Sequence, residues 1–359
     1  MPTLFTPLKL GAINLPNRIV MAPLTRGRAT RAHVPTELMQ TYYAQRAGAG
    51  LIITEGTGIS QTGLGWPHAP GIWSAEQVEA WKPVVAAVHA AGGRIACQLW
   101  HMGRLVHPSF LGGAAPVSAS ATTAPSKAHT YAGRQLYTEA QPLTADQIKA
   151  TVEDYARAAD NAIAAGFDGV EIHGANGYLV DQFLRDGSNL RDDSYGGSIE
   201  NRIRFLGEVT RAVADRIGAD RTGVRLSPNG DSQGVNDSDP HRLFPAAAAL
   251  LDEIGIAFLE LREPPRDGTF GKAEVDPVAP AIRAAFRGPL ILNSDYGLDK
   301  AEAAIAADEA DAISFGRPFI SNPDLPLRLA DRLVLAPDEQ SLWYSNGREG
   351  YIDYPVHAA

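Results

Sequence analysis

Cysteine occurs once in 359 residues, as Cys97. One thiol excludes an intramolecular disulfide framework and any zinc or iron–sulfur centre built from several thiolates. Long hydrophobic runs are missing as well. No stretch of about 18 apolar residues occurs, so no segment reads as a membrane-spanning helix. The N-terminal Met1-Pro2-Thr3-Leu4-Phe5-Thr6-Pro7 lacks the basic region and apolar run of a signal peptide. Positive charge is scarce: 32 Lys plus Arg stand against 41 Asp plus Glu, a net charge of −9. That balance argues against a nucleic-acid-binding domain, which carries a basic patch. The dinucleotide fingerprint G-x-G-x-x-G is not completed by Gly56-Thr57-Gly58-Ile59-Ser60. No low-complexity tract, long repeat or linker interrupts the chain. The expectation is an acidic cytoplasmic protein, one domain over residues 1–359, that acts on small molecules.

What is present is a regular alternation. Eight short apolar, β-branched runs occur: 18–24, 51–56, 94–100, 169–174, 222–228, 257–262, 289–294 and 311–317. Most are continuous rather than alternating, as expected of parallel strands buried on both faces. Helical patterns follow nearly every run, at 35–47, 75–91, 144–165, 198–217, 240–254, 278–286 and 299–307. Thr144-Ala145-Asp146-Gln147 reads as a capping box, and Gly166 and Gly218 sit where helices stop. Eight βα units predict a (β/α)8 TIM barrel. An open doubly wound sheet is the alternative. Residues 4–16 are expected to form a hairpin closing the barrel bottom. The long segment at about 102–142, after the third strand, is expected to cap the active site, because barrels build their sites at strand C-termini.

Polar side chains at those strand ends carry the functional signal. Gln98 and Trp100 share one face of the third strand, and Glu171 and His173 share one face of the fourth. Asn176 and Tyr178 follow in the loop, and Arg225 sits within the fifth strand. A buried amide or hydroxyl without a partner costs about 1–3 kcal/mol, and an isolated ion far more. A planar polar ligand in the barrel mouth would offset that cost. Phosphates in barrels bind at the loops after strands seven and eight, which here begin at Asn293-Ser294-Asp295 and Phe315-Gly316-Arg317. A planar head and a phosphate tail describe a mononucleotide or a phosphorylated substrate equally well. Cys97, one residue out of phase with Gln98, is expected to face the helix layer as an inert thiol.

Several segments together resemble the old yellow enzyme family of flavin-dependent alkene reductases. They are Asn17-Arg18-Ile19-Val20-Met21-Ala22-Pro23-Leu24-Thr25-Arg26, Gln98-Leu99-Trp100-His101-Met102-Gly103-Arg104, and the run from Gly166 through His173-Gly174-Ala175-Asn176-Gly177-Tyr178-Leu179. Tyr195-Gly196-Gly197-Ser198-Ile199-Glu200-Asn201-Arg202, Phe315-Gly316-Arg317-Pro318-Phe319-Ile320-Ser321-Asn322-Pro323-Asp324-Leu325 and Gly350-Tyr351-Ile352-Asp353-Tyr354-Pro355 complete the set. All six occur in the family's order.

The resemblance implies non-covalent FMN, reduced by NADPH or NADH and reoxidised by an activated alkene. Pro23, Leu24 and Thr25 match the segment beside the flavin ring, and Gly56 the small residue over it. Gln98 matches the amide at its pyrimidine edge and Arg225 the cation near N1. Ser294, Asp295, Gly316 and Arg317 match the phosphate-binding positions. Many members carry glycine where this chain has Ser294 and Asp295, so the Asp295 carboxylate is expected to turn away from the phosphate. His173 and Asn176 match the donor pair for the substrate oxygen, Tyr178 the proton donor, and Trp100 and Tyr344 pocket aromatics. Two other readings stand beside this one. A flavin-free aldolase or lyase would need a Schiff-base lysine or carboxylate metal cluster at the strand ends. A flavin-sequestering barrel would have no use for Tyr178.

Overall fold

A computed structural model describes residues 2–273 and 275–357. Each of the eight runs contains a strand: β1 (Ile19–Met21), β2 (Leu51–Ile53), β3 (Ile95–Trp100), β4 (Gly169–Gly174), β5 (Thr222–Leu226), β6 (Phe258–Arg262), β7 (Leu290–Asn293) and β8 (Ala312–Phe315). All pair in parallel, β8 returns to β1, and the circle is complete through the β3–β4 pair. The fold is therefore a closed (β/α)8 barrel rather than an open sheet.

Side-chain alternation divides the core into two compartments. Val20, Leu51, Ile53, Ala96, Phe258, Ile291 and Ala312 point inward and pack with Leu10, Ile13 and Leu15. Those last three belong to an antiparallel hairpin, Leu8–Leu10 with Ile13–Leu15, which plugs the bottom as expected. The alternate residues, among them Ile19, Ile52, Cys97, Leu259 and Ile313, pack against the helices. Cys97 thus lies in the outer layer, where burial pushes its thiol up to about 12. Moving up the barrel, the inward positions change from apolar to polar at one level: Gln98, Glu171, Arg225, Glu260, Asn293 and Ser314.

The helix Ala145–Ala165 starts on a Thr144–Gln147 capping box and ends at Gly166, in the left-handed region at φ 99°. The pattern over 198–217 predicts one helix, but two form, Ile199–Arg202 and Arg204–Ile217. Arg202 explains the break: it is buried, pairs with Asp237 at 2.5 Å and donates to the Leu184 carbonyl. The six-residue helix Leu179–Leu184, wholly buried, has no counterpart among the sequence-based expectations.

Two irregular segments lie near the open end, one of them packing His129 against Trp66 and Tyr344. The 102–142 segment holds a hairpin, Lys127–Thr130 with Gly133–Leu136, and is tied down where Arg104 donates to Gln233 and Gly234 carbonyls at 3.0 and 2.9 Å. From the other side, Arg26 and Arg28 donate to the Trp343 carbonyl at 3.1 and 2.9 Å. Tyr42 stacks on Tyr351 at 4.1 Å with the Arg26 guanidinium 5.3 Å from each ring. The residues just after β1 thereby place Trp343 and Tyr344 at the barrel's open end.

Candidate active site

A cavity of about 460 Å³ opens at the C-terminal ends of the strands. All of the residues matched to cofactor or substrate positions line it: Pro23, Leu24, Thr25, Gly56, Gln98, Trp100, His173, Asn176, Tyr178, Arg225, Ser294, Asp295, Gly316, Arg317 and Tyr344; Glu171 does not.

Its floor is the polar ring of the barrel. Gln98 Nε2 donates to Glu171 Oε1 at 2.7 Å. Arg225 Nε lies 3.3 Å from Glu260 Oε1, and Arg225 Nη2 donates to Asn293 Oδ1 at 2.9 Å. Gly56 lies beside Trp100, where an added Cβ would sit 2.5 Å from the indole carbon Cε3. Any side chain there displaces Trp100.

One wall is an aromatic cluster. Tyr178 meets Trp100 edge-on at 4.9 Å and His173 at 4.8 Å, and His173 lies parallel to Trp100 at 6.3 Å. The Ala175 amide donates to His173 Nδ1 at 3.3 Å. Nδ1 is therefore the acceptor nitrogen, and the neutral ring carries its proton on Nε2. Burial, reinforced by Arg225, holds His173 well below the usual histidine range. Burial likewise raises the Tyr178 phenol, which stays protonated at neutral pH. The loop between them is fixed by its backbone. Asn176 adopts φ 57° and donates its amide to Ser227 Oγ, while Gly177 donates to Asp181, whose carboxylate pairs with Arg185. The Asn176 side-chain oxygen is buried without a partner among the described residues.

At the far end Ser294 and Asp295 both have positive φ, 106° and 52°. This region is natural to glycine and strained by about 1–2 kcal/mol for other residues. The Asp295 carboxylate does not turn away from this end. It accepts from the Thr269 amide at 2.7 Å and from Arg317 Nη2 at 2.9 Å. Burial opposes its ionisation, but Thr269 and Arg317 outweigh that and hold it below the usual carboxylate range.

Trp66, Arg262 and Phe270 also line the cavity and were not foreseen. Arg262 was within reach: it is two residues beyond Glu260 and so shares its inward face. Trp66 and Phe270 come from loops whose path no periodicity reveals.

An amide and a guanidinium at one end, an apolar wall along Pro23–Leu24, and a glycine with a second guanidinium at the other suit a flavin mononucleotide. The barrel and this cavity define a flavin-dependent oxidoreductase of the (β/α)8 class. The family model for the NADH:flavin oxidoreductase / NADH oxidase family matches residues 3–335. The old yellow enzyme homologue NCR of Zymomonas mobilis superposes with a TM-score of 0.98 at 56% identity, covering 99% of this chain and 100% of that one. Morphinone reductase, solved in complex with tetrahydroNAD, superposes at 0.94 with 44% identity over 100% of this chain and 98% of its own. The 12-oxophytodienoate reductase 2 of Arabidopsis thaliana is 42% identical over 98% of this chain and 95% of its own. The chain belongs to the NADH:flavin oxidoreductase family, as an old yellow enzyme that uses FMN and a reduced nicotinamide.

Proposed function

We propose that the protein reduces the activated C=C bond of α,β-unsaturated carbonyl compounds (enones, enals and maleimides) and of nitroalkenes. The observation that carries this is the placing of three groups on one wall: His173 with its Nε2–H, Asn176 and the protonated Tyr178. FMN, when bound, supplies hydride to the β-carbon of the alkene. Pro23, Leu24, Thr25 and Gly56 would hold its ring, Gln98 and Arg225 its pyrimidine edge, and Arg317 with the backbone of Ser294, Asp295 and Gly316 its phosphate. His173 and Asn176 stabilise the charge that develops on the substrate oxygen, as donors preorganised in a dry site do. Tyr178 gives its phenolic proton to the α-carbon on the face opposite the hydride, so addition is trans. Trp100 and Tyr344 enclose the substrate, and segment 102–142 caps the site.

An anaerobic titration tests the reading. The yellow protein is expected to bleach with NADPH and regain colour with 2-cyclohexenone. Bleaching that no enone or nitroalkene reverses overturns it. The Asp295–Arg317 pair carries a further expectation. Asp295→Gly removes a carboxylate that competes with phosphate for Arg317 and relieves a positive φ. FMN is expected to bind about fivefold more tightly, on the order of 1 kcal/mol. Weaker binding, measured by fluorescence titration of the apoprotein, would show that the Asp295 carboxylate itself helps to hold the phosphate.

A further inference from the structure

Glu171 and Glu260 are fully buried, and the chemistry proposed above uses neither. They stand on β4 and β6, on either side of Arg225 on β5. Each carboxyl has one satisfied oxygen: Glu171 Oε1 accepts from Gln98, and Glu260 Oε1 accepts from Ser314 Oγ at 2.6 Å beside Arg225 Nε. Each Oε2 is buried with no donor among the other described residues. The two side chains lie within hydrogen-bond reach of one another. A carboxylate has no proton to donate, so a bond between them requires that one be protonated.

The groups packed around the pair support this. Gln98 on β3, Asn293 on β7 and Ser314 on β8 are neutral, His173 on β4 is held neutral by burial, and Arg225 is the positive charge acting on the pair, whereas Arg262, two residues beyond Glu260, faces Asp295 and Tyr178 instead. Two carboxylates against one guanidinium would leave a net negative charge in a dry core, which one proton removes. Burial and the neighbouring Glu260 raise the Glu171 carboxyl well above its ordinary range.

We propose that Glu171 and Glu260 form a positioning pair sharing one proton at neutral pH, and that this proton sets the charge beside Arg225 and so the reduction potential of the bound flavin. The proposal rests on Gln98 and Arg225 meeting the flavin. Reduced flavin carries negative charge at N1 and is favoured by an uncompensated Arg225; a second ionised carboxylate beneath it would disfavour that form.

The test has a flavin-free arm. Infrared spectra of the apoprotein at pH 7 are expected to show a protonated-carboxyl band that Glu171→Gln removes, because Glu260 then stays ionised with Arg225. A band absent from the wild type, or unchanged in the variant, overturns the shared proton. Should the variant not fold, the wild-type band followed from acid to alkaline pH decides alone. In the holoprotein, Glu260→Gln frees Arg225 and is expected to favour reduced over oxidised flavin about tenfold, or about 30 mV for a two-electron couple. Glu171→Gln is expected to leave the neutral-pH potential unchanged and to abolish its extra fall at alkaline pH. Equal weakening of both flavin forms in Glu260→Gln overturns the potential-setting role and leaves the shared proton standing. FMN affinity insensitive to Gln98→Ala would instead locate the fault in the flavin contacts.

Discussion

Tyr178→Phe is expected to slow reoxidation of the reduced enzyme by 2-cyclohexenone by about 10²–10⁴-fold, the usual worth of a positioned general acid, with reduction by NADPH unchanged. The split follows from what the substitution removes. The ring that packs edge-on against Trp100 and His173 stays, so the cavity keeps its shape. Only the phenolic proton is lost, and only the alkene half-reaction consumes a proton at carbon. Burial raises the Tyr178 phenol, so the acid form is fully populated through neutral pH. Wild-type reoxidation should therefore be flat across that range and decline only on the alkaline side of the ordinary tyrosine range, near 10. Stopped-flow measurement of each half-reaction checks both points. Equal slowing of the two halves would remove Tyr178 from the chemistry and leave it as a packing residue.

Much of the barrel was readable because its strands are buried on both faces. Continuous runs such as Leu51-Ile52-Ile53 and Pro289-Leu290-Ile291-Leu292 have no amphipathic alternative, and each became a strand. The polar floor was readable for the converse reason: Gln98, Glu171 and Arg225 break such runs at a cost that an empty core would not bear. Partner choice was less accessible. Glu171 and Glu260 both stand on inward faces of strands flanking Arg225, and the pairing with Glu260 depends on β5–β6 register, where the two residues lie side by side. The break at Ile203 depends on Arg202 finding Asp237, 35 residues away along the chain. Asp295 was expected to avoid the phosphate end, yet Thr269, from a loop with no periodic signal, holds it against Arg317. Local pattern reports burial; it does not report which distant loop supplies the partner.

His173→Ala is expected to weaken phenol binding and to slow enone reduction by about 10²–10³-fold, the cost of losing one donor in an oxyanion site. The protonation state makes this prediction specific. Because the Ala175 amide occupies Nδ1, the wild-type ring can offer the substrate oxygen only its Nε2–H, and burial keeps the ring neutral at pH 7. A phenolate in the cavity is then held by a neutral donor, and its affinity should follow the phenol's own ionisation alone. An imidazolium donor would behave otherwise: binding would tighten as pH falls through the ordinary histidine value of about 6.5. Titrating the flavin absorbance with a phenol at several pH values separates the cases. Affinity that rises on acidification across that window would contradict the neutral ring, and affinity unaffected by His173→Ala would take the oxygen-binding role from His173. Asn176 is expected to retain part of the binding in the variant, since its backbone N–H stays bonded to Ser227 Oγ when the Ala175 contact to the histidine is lost.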